Sequence, residues 1–196
     1  MYHPLDRPIS PQKQRIIERA NKLRGMLVGS YSQVEYLLGN LWVSMEQVDP
    51  YFTKRNEFPY RLPSRVKAIR QLLDVPHGPL FQFRAKAVEL LDEMDAYERH
   101  RRMMAHGYME VEHSASGHLV RVRFYEPTKD DTANEVHTEM SLNKMEADAK
   151  KAADFAGRWM RLQFDIHAQF GWVAPATTLR SHKSQGIVVQ SRRRPS

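Results

Sequence analysis

Apolar residues recur at three- and four-residue spacings from Ile16 through Leu23, Met26, Leu27, Val34, Leu37, Leu38 and Leu41 to Met45. That spacing puts them on one face of a long amphipathic helix. Ser10-Pro11 supplies its start, a hydroxyl cap followed by a proline tolerated at the first helical position, and the pattern runs to about Gln47. Gly25 and Gly29 are the places where this helix can bend or break. A second helix is predicted from Pro63-Ser64 through Val66, Ile69, Leu72 and Leu73, ending near Asp74. Val75-Pro76-His77-Gly78-Pro79 interrupts the chain. Phe83, Ala87, Leu90, Leu91, Met94 and Tyr97 then mark a third helix that reaches His106, with Gly107 as its stop.

Beyond Gly107 the period changes from helical to alternating. Tyr108, Glu110 and Glu112 interleave with Met109 and Val111, and Leu119 to Phe124 alternates apolar with basic residues. Ser114 to Gly117 is the turn of the β-hairpin this predicts. A last helix begins at Ser141 or Asn143 and runs through Ala149, Ala152, Ala153, Ala156, Trp159, Met160 and Phe164 to about Phe170. Its alanines permit close helix contact. The expected fold is all-α: an antiparallel four-to-five-helix bundle with a β-hairpin inserted before the last helix, spanning residues 1–174. Trp42, Trp159 and Trp172 read as core or interface aromatics.

Composition places the charge. The formal net charge is +7, but five of the positive charges (Arg180, Lys183, Arg192, Arg193 and Arg194) follow Asp165, the last acidic residue. The body is left near +2. Residues 175–196 are rich in Thr, Ser, Gln and Arg and are expected to form a basic, disordered tail, in which Arg192, Arg193 and Arg194 are either a polyanion contact or a solubilising end. Cysteine is absent, which removes disulfides, thiol catalysis and cysteine-ligated zinc and fits a reducing cytoplasm. No run approaches the ~18 apolar residues of a spanning helix, so a soluble protein with no membrane partner is expected.

The densest chemistry lies at the end of the third helix, where Arg99, His100, Arg101, Arg102 and His106 put three arginines and two histidines within eight residues. Arginine presents a fixed fork of donors to phosphate oxygens, and a neutral histidine accepts a proton near neutral pH. On a regular helix, residues four apart lie ~40° apart around the axis and residues five apart ~140°. Arg102 is therefore the same-face partner of His106 if the helix holds to its end. Arg101 takes that place if the last turn loosens or a second subunit supplies its own copy. Glu35, on the otherwise apolar stretch Val34 to Leu41, either orients His106, pairs with Arg101 or faces solvent. No His-Glu-x-x-His spacing, glycine-rich phosphate loop or nucleophile elbow is present, so no metal and no cofactor are expected.

Arg101-Arg102-Met103-Met104-Ala105-His106-Gly107 resembles the Arg-x4-His signature of the HEPN superfamily, with Arg102 standing where Asn or Asp is commonest. The resemblance extends more loosely to the bundle from Ser10 to Phe170. It implies a helical domain that commonly dimerises, hence a homodimer, and a metal-independent endoribonuclease acting on RNA, a toxin or phage-defence effector. It assigns Arg101 to transition-state stabilisation, Arg102 to the polar second position and His106 to general acid/base work. Tyr108, two residues after His106, matches the form in which a nucleotidyltransferase antitoxin adenylylates the tyrosine; the residues themselves favour the plainer reading, a tyrosine opening a strand. The alternative function is a non-catalytic module of the same kind that holds RNA, a nucleotide or a protein.

Overall fold

The computed structural model describes residues 10–51, 58–114, 117–127 and 133–172. Helix α1 (Pro11–Met45) starts where Ser10 accepts a hydrogen bond from the Lys13 amide (3.3 Å), and it passes through Gly25 and Gly29 unbroken. Helix α2 (Leu62–Leu73) opens on a proline and packs on α1. A 3-10 turn, Phe81–Phe83, leads into α3 (Arg84–His106). Three strands follow, β1 (Tyr108–Ser114), β2 (Gly117–Pro127) and β3 (Ala133–Ser141), and then α4 (Leu142–Gln169), capped by Ser141 accepting from the Lys144 amide (3.1 Å).

The expected hairpin is thus joined by a third strand. The sheet is antiparallel in the order β1-β2-β3, with Tyr108 opposite Arg123, Val111 opposite Val120, and Val120 opposite Met140. The molecule is helix-dominated with a small sheet, and its β portion is larger than an inserted hairpin. β3 alternates in burial like its neighbours, with Val136, Thr138 and Met140 turned inward and Asn134, Glu135, His137 and Glu139 to solvent. Its apolar positions are too few for the alternation to stand out in the sequence.

Two apolar clusters share the long helices. One gathers Leu38, Trp42 and Met45 of α1 with Ile69 and Leu73 of α2, Leu91 and Met94 of α3, and Phe155 and Trp159 of α4. The other sets Leu23, Leu27 and Tyr31 of α1 against Met103 and Met104 of α3, Val120 and Val122 of β2, and Met145, Ala149 and Ala152 of α4. Each fully buried large side chain contributes roughly 1.5–3 kcal/mol relative to exposure, so both clusters are needed to hold a chain of this size. Trp42 and Trp159 are buried, and Trp172 stacks on Phe170 at 4.6 Å. Among the described residues, no helix is long and apolar enough to cross a membrane.

The stop at Gly107 has a steric cause. Its φ of −73° and ψ of 149° are extended backbone open to any residue, so no left-handed conformation requires glycine there. A Cβ at this position would instead lie 2.5 Å from the Met103 carbonyl oxygen, 2.5 Å from Val122 Cγ1 and 2.9 Å from the Arg123 carbonyl oxygen. At Gly25 a Cβ meets nothing within 4 Å. Gly107→Ala is therefore expected to lower the unfolding free energy by about 1–3 kcal/mol through overpacking. Gly25→Ala should raise it by about 0.5–1 kcal/mol through helix propensity. Urea unfolding of the two variants beside the parent checks both signs.

Candidate functional site

Helix α3 stays α-helical through His106, and the Gly107 amide still donates to the Met103 carbonyl (2.8 Å). The last turn therefore does not loosen. Arg102 and His106, four residues apart, share a helix face, with Arg102 half-buried and His106 exposed.

Arg101 points elsewhere. Its Nη1 lies 2.8 Å from Glu35 Oε1, while Nε and Nη2 donate to the two Glu98 carboxylate oxygens at 2.9 and 3.0 Å. Only 20% of its side chain is exposed. Of the three positions open to Glu35, the structure shows the pairing with Arg101. The hydrogen bonds to Glu98 push the guanidinium above its usual range; burial opposes this, and the charge of Glu35 adds to it. Arg101 is a fixed, fully charged group set between α1 and α3.

The residue that fixes the site's backbone is Arg24 of α1. Its Nε donates to the Met104 carbonyl (2.6 Å), and its Nη2 to the carbonyls of Gly107 (2.8 Å) and Ala105 (3.4 Å). These carbonyls belong to the helix end, where the last four have no partner within the helix. The cation also meets the negative end of the helix dipole. Sequence reasoning missed Arg24 because it is one of 20 arginines and lies 80 residues from the carbonyl it caps. Only the helical register, which puts position 24 beside the buried Leu23 and Leu27, hinted that it faces inward.

His100 also departs from the basic surface run. It turns into a cleft of about 430 Å³ bordered by Tyr31, Tyr97, Lys144, Asp148 and Lys151. Its Nδ1 lies 3.3 Å from the Tyr31 hydroxyl, and its Nε2 is buried with no hydrogen-bond partner. Burial lowers the imidazole pKa from the ordinary 6.5; Asp148 opposes this and Lys144 reinforces it. Burial likewise pushes the Tyr31 phenol well above its usual range. The cleft is thus floored by neutral groups.

Tyr108 opens β1 and is 66% exposed. Arg192, Arg193 and Arg194 lie outside the described residues. Among the described residues, no group of three or more His, Asp or Glu side chains could hold a metal ion. The arrangement that results offers an exposed imidazole, an arginine on its own helix face and a second arginine held by two carboxylates. Comparison with protein-family models, curated proteins and solved structures finds no match.

Two outcomes test this geometry. Arg24→Ala should lower the unfolding free energy by about 1–3 kcal/mol, with Arg24→Lys recovering only part, since one ammonium cannot span three carbonyls. Urea unfolding reads the loss, and hydrogen exchange shows whether it centres on the last turn of α3. For His100 the sign follows from its lowered folded pKa. Well above the ordinary pKa of 6.5 the group is neutral in folded and unfolded chains and contributes no pH dependence. As pH falls from there through the folded value, the unfolded chain takes up the proton first and stability drops. His100→Gln should therefore lose less stability than the parent between about pH 7 and about pH 5, read from urea midpoints.

Proposed function

We propose that the exposed end of α3 is the active end of a HEPN-like, metal-independent endoribonuclease, built on an antiparallel helical bundle domain. The observation that supports it most is the regular last turn, which sets Arg102 and His106 on one surface-facing stripe. A single-stranded RNA laid across this end meets the His106 imidazole and the Arg102 guanidinium without needing a base-specific pocket.

In this reading His106, as neutral imidazole, takes the proton from a ribose 2′-hydroxyl. The 2′-oxygen attacks the adjacent phosphorus, the bond to the 5′-oxygen breaks as that oxygen takes a proton from water, and the His106 imidazolium returns its proton to the hydroxide so formed. Arg102 offsets the charge that builds on the phosphorane oxygens. The products are a 2′,3′-cyclic phosphate and a 5′-hydroxyl, and no oxidant or metal enters the balance.

A homodimer belongs to the proposal. Tyr36 and Phe164 are exposed at a groove between α1 and α4, an apolar surface that a second copy would cover. A toxin or phage-defence role with an antitoxin also belongs to it, and the exposed Tyr108 hydroxyl would be open to a nucleotidyltransferase partner. The second reading, a non-catalytic module holding RNA, a nucleotide or a protein, is favoured by one observation: Arg101 already spends its guanidinium on Glu98 and Glu35.

The test is incubation of the purified protein with mixed RNA in EDTA, with analysis of product ends. Cleavage leaving cyclic phosphate, reduced about 100-fold or more in His106→Ala and strongly reduced in Arg102→Ala, is expected. A folded parent that cuts nothing across salt and pH would transfer the site to the binding-module reading.

A further inference from the structure

The outer face of the sheet is acidic, although the chain as a whole carries a net charge of +7. Strand alternation turns Arg121 and Arg123 of β2 away from the buried Val120 and Val122. Arg121 bridges Glu112 of β1 (3.0 Å) and Glu139 of β3 (2.5 Å), and Arg123 bridges Glu110 of β1 (2.8 Å) and Glu135 of β3 (4.0 Å). Each cation is shared by two anions. Among the described residues of this face, two negative charges are therefore left uncompensated. The four glutamates keep between 30% and 44% of their side chains exposed. Tyr108, opposite Arg123, and Tyr125, two residues further along β2, emerge on the same side and are more exposed still.

Carboxylates interleaved with tyrosines suit a cationic, planar group. A guanidinium takes a carboxylate through two parallel hydrogen bonds and also lies favourably over a tyrosine ring. A phosphate backbone is repelled by the same carboxylates. The sequence itself supplies a matching segment, Arg192-Arg193-Arg194, in a stretch with no acidic residue after Asp165. We propose that Arg192, Arg193 and Arg194, which lie outside the described residues, dock on the outer face of the sheet of their own chain, against Glu110, Glu135 and the two tyrosines. This surface is independent of both functional readings above.

Chain length decides which basic residues can arrive there. The sheet meets α4 at Ser141, and the described residues end at Trp172, just past the far end of that helix. A helix of 28 residues spans about 42 Å. At about 3.3 Å per extended residue, the 20 residues from Trp172 to Arg192 reach about 66 Å. Arg180 and Lys183, by the same measure, reach only about 26 and about 36 Å and fall short. The arginine triplet is thus the basic group that is both long enough in tether and dense enough in charge to match the uncompensated carboxylates. Exposed ion pairs are individually weak, but a tethered segment meets its site at a raised effective concentration and three contacts act together.

The chain has no cysteine, so Ser196→Cys in the full-length protein accepts a single nitroxide spin label beside the triplet. Amide NMR signals of Glu110, Arg123 and Glu135 should broaden at about 0.01 M salt and sharpen again at about 1 M, as the screening length falls from about 30 Å to about 3 Å. Signals of α2, which carries Arg65, Lys67 and Arg70 and no carboxylate, should stay sharp. The broadening should disappear when Arg192→Ala, Arg193→Ala and Arg194→Ala are combined, and weaken when Glu110→Gln and Glu135→Gln are combined. Sheet signals no broader than those of α2, or broadening that survives the triple alanine variant, would overturn the proposal. A spin-labelled copy mixed with an isotope-labelled, spin-free copy separates the two possible sources of the segment. Broadening seen in that mixture as strongly as within one chain would put the arginines on a second copy and overturn docking in their own.

Discussion

The geometry of the site depends on the clasp of Arg24 around the end of α3. A helix that stops at the surface leaves its last carbonyls to water, and its final turn frays. Here one guanidinium from α1 takes the carbonyls of Met104, Ala105 and Gly107. The residue between the last two is His106, so its backbone is held on both sides while its side chain stays exposed. The same clasp fixes where β1 begins, and Gly107 then lies so close to Val122 and Arg123 that only hydrogen fits at its α-carbon. Helix, strand and the neighbouring strand are locked at one point by one cation and one missing methyl group.

That point sits on the second apolar cluster, and the length of α1 follows from it. Its C-terminal half serves the cluster with α2, while its N-terminal half must reach past α3 to cover the sheet and the start of α4. A helix broken at Gly25 or Gly29 would leave Ala20 and Leu23 uncovered. Burial along the continuous face outweighs the roughly 1 kcal/mol that each glycine costs. Tyr97 packs against both clusters. Tyr31 and His100 stand beside it, a hydrogen-bonded pair of polar groups in an otherwise apolar seam. Polar groups placed there favour one packing of α1 on α3 over sliding alternatives, since any shift leaves two buried atoms unpaired.

The helices were legible because their periodicity is long and their caps are local: Ser10 and Ser141 lie beside the residues they cap. The third strand was not, because its solvent face carries Glu135, His137 and Glu139 and its inner face only Val136, Thr138 and Met140. The same-face relation of Arg102 and His106 could be read from spacing, since it needs only the helical angle. Arg24, the inward turn of His100 and the choice Glu35 makes among its options could not. Each depends on which segment lies across from it, and long-range pairing leaves no mark in local sequence.

Arg101 brings the two functional readings to a single physical question, whether a phosphate can take it from its carboxylates. Glu98 holds it through two parallel hydrogen bonds, the geometry a phosphate would also offer. The exchange trades one charge-assisted fork for another. What it costs is the release of Glu98, and that carboxylate is 29% exposed and hydrates as it leaves. The pair is bidentate and Glu35 extends it to three charges around a guanidinium only 20% exposed, the geometry in which ion pairs contribute most, so the exchange has a real cost. Glu35 remains on the far side to keep the guanidinium oriented. The pairing holds Arg101 charged and aligned between α1 and α3. Arg24 is different in kind: its partners are backbone carbonyls that cannot leave without unwinding α3, whereas Glu98 is a side chain that can turn away with the helix intact.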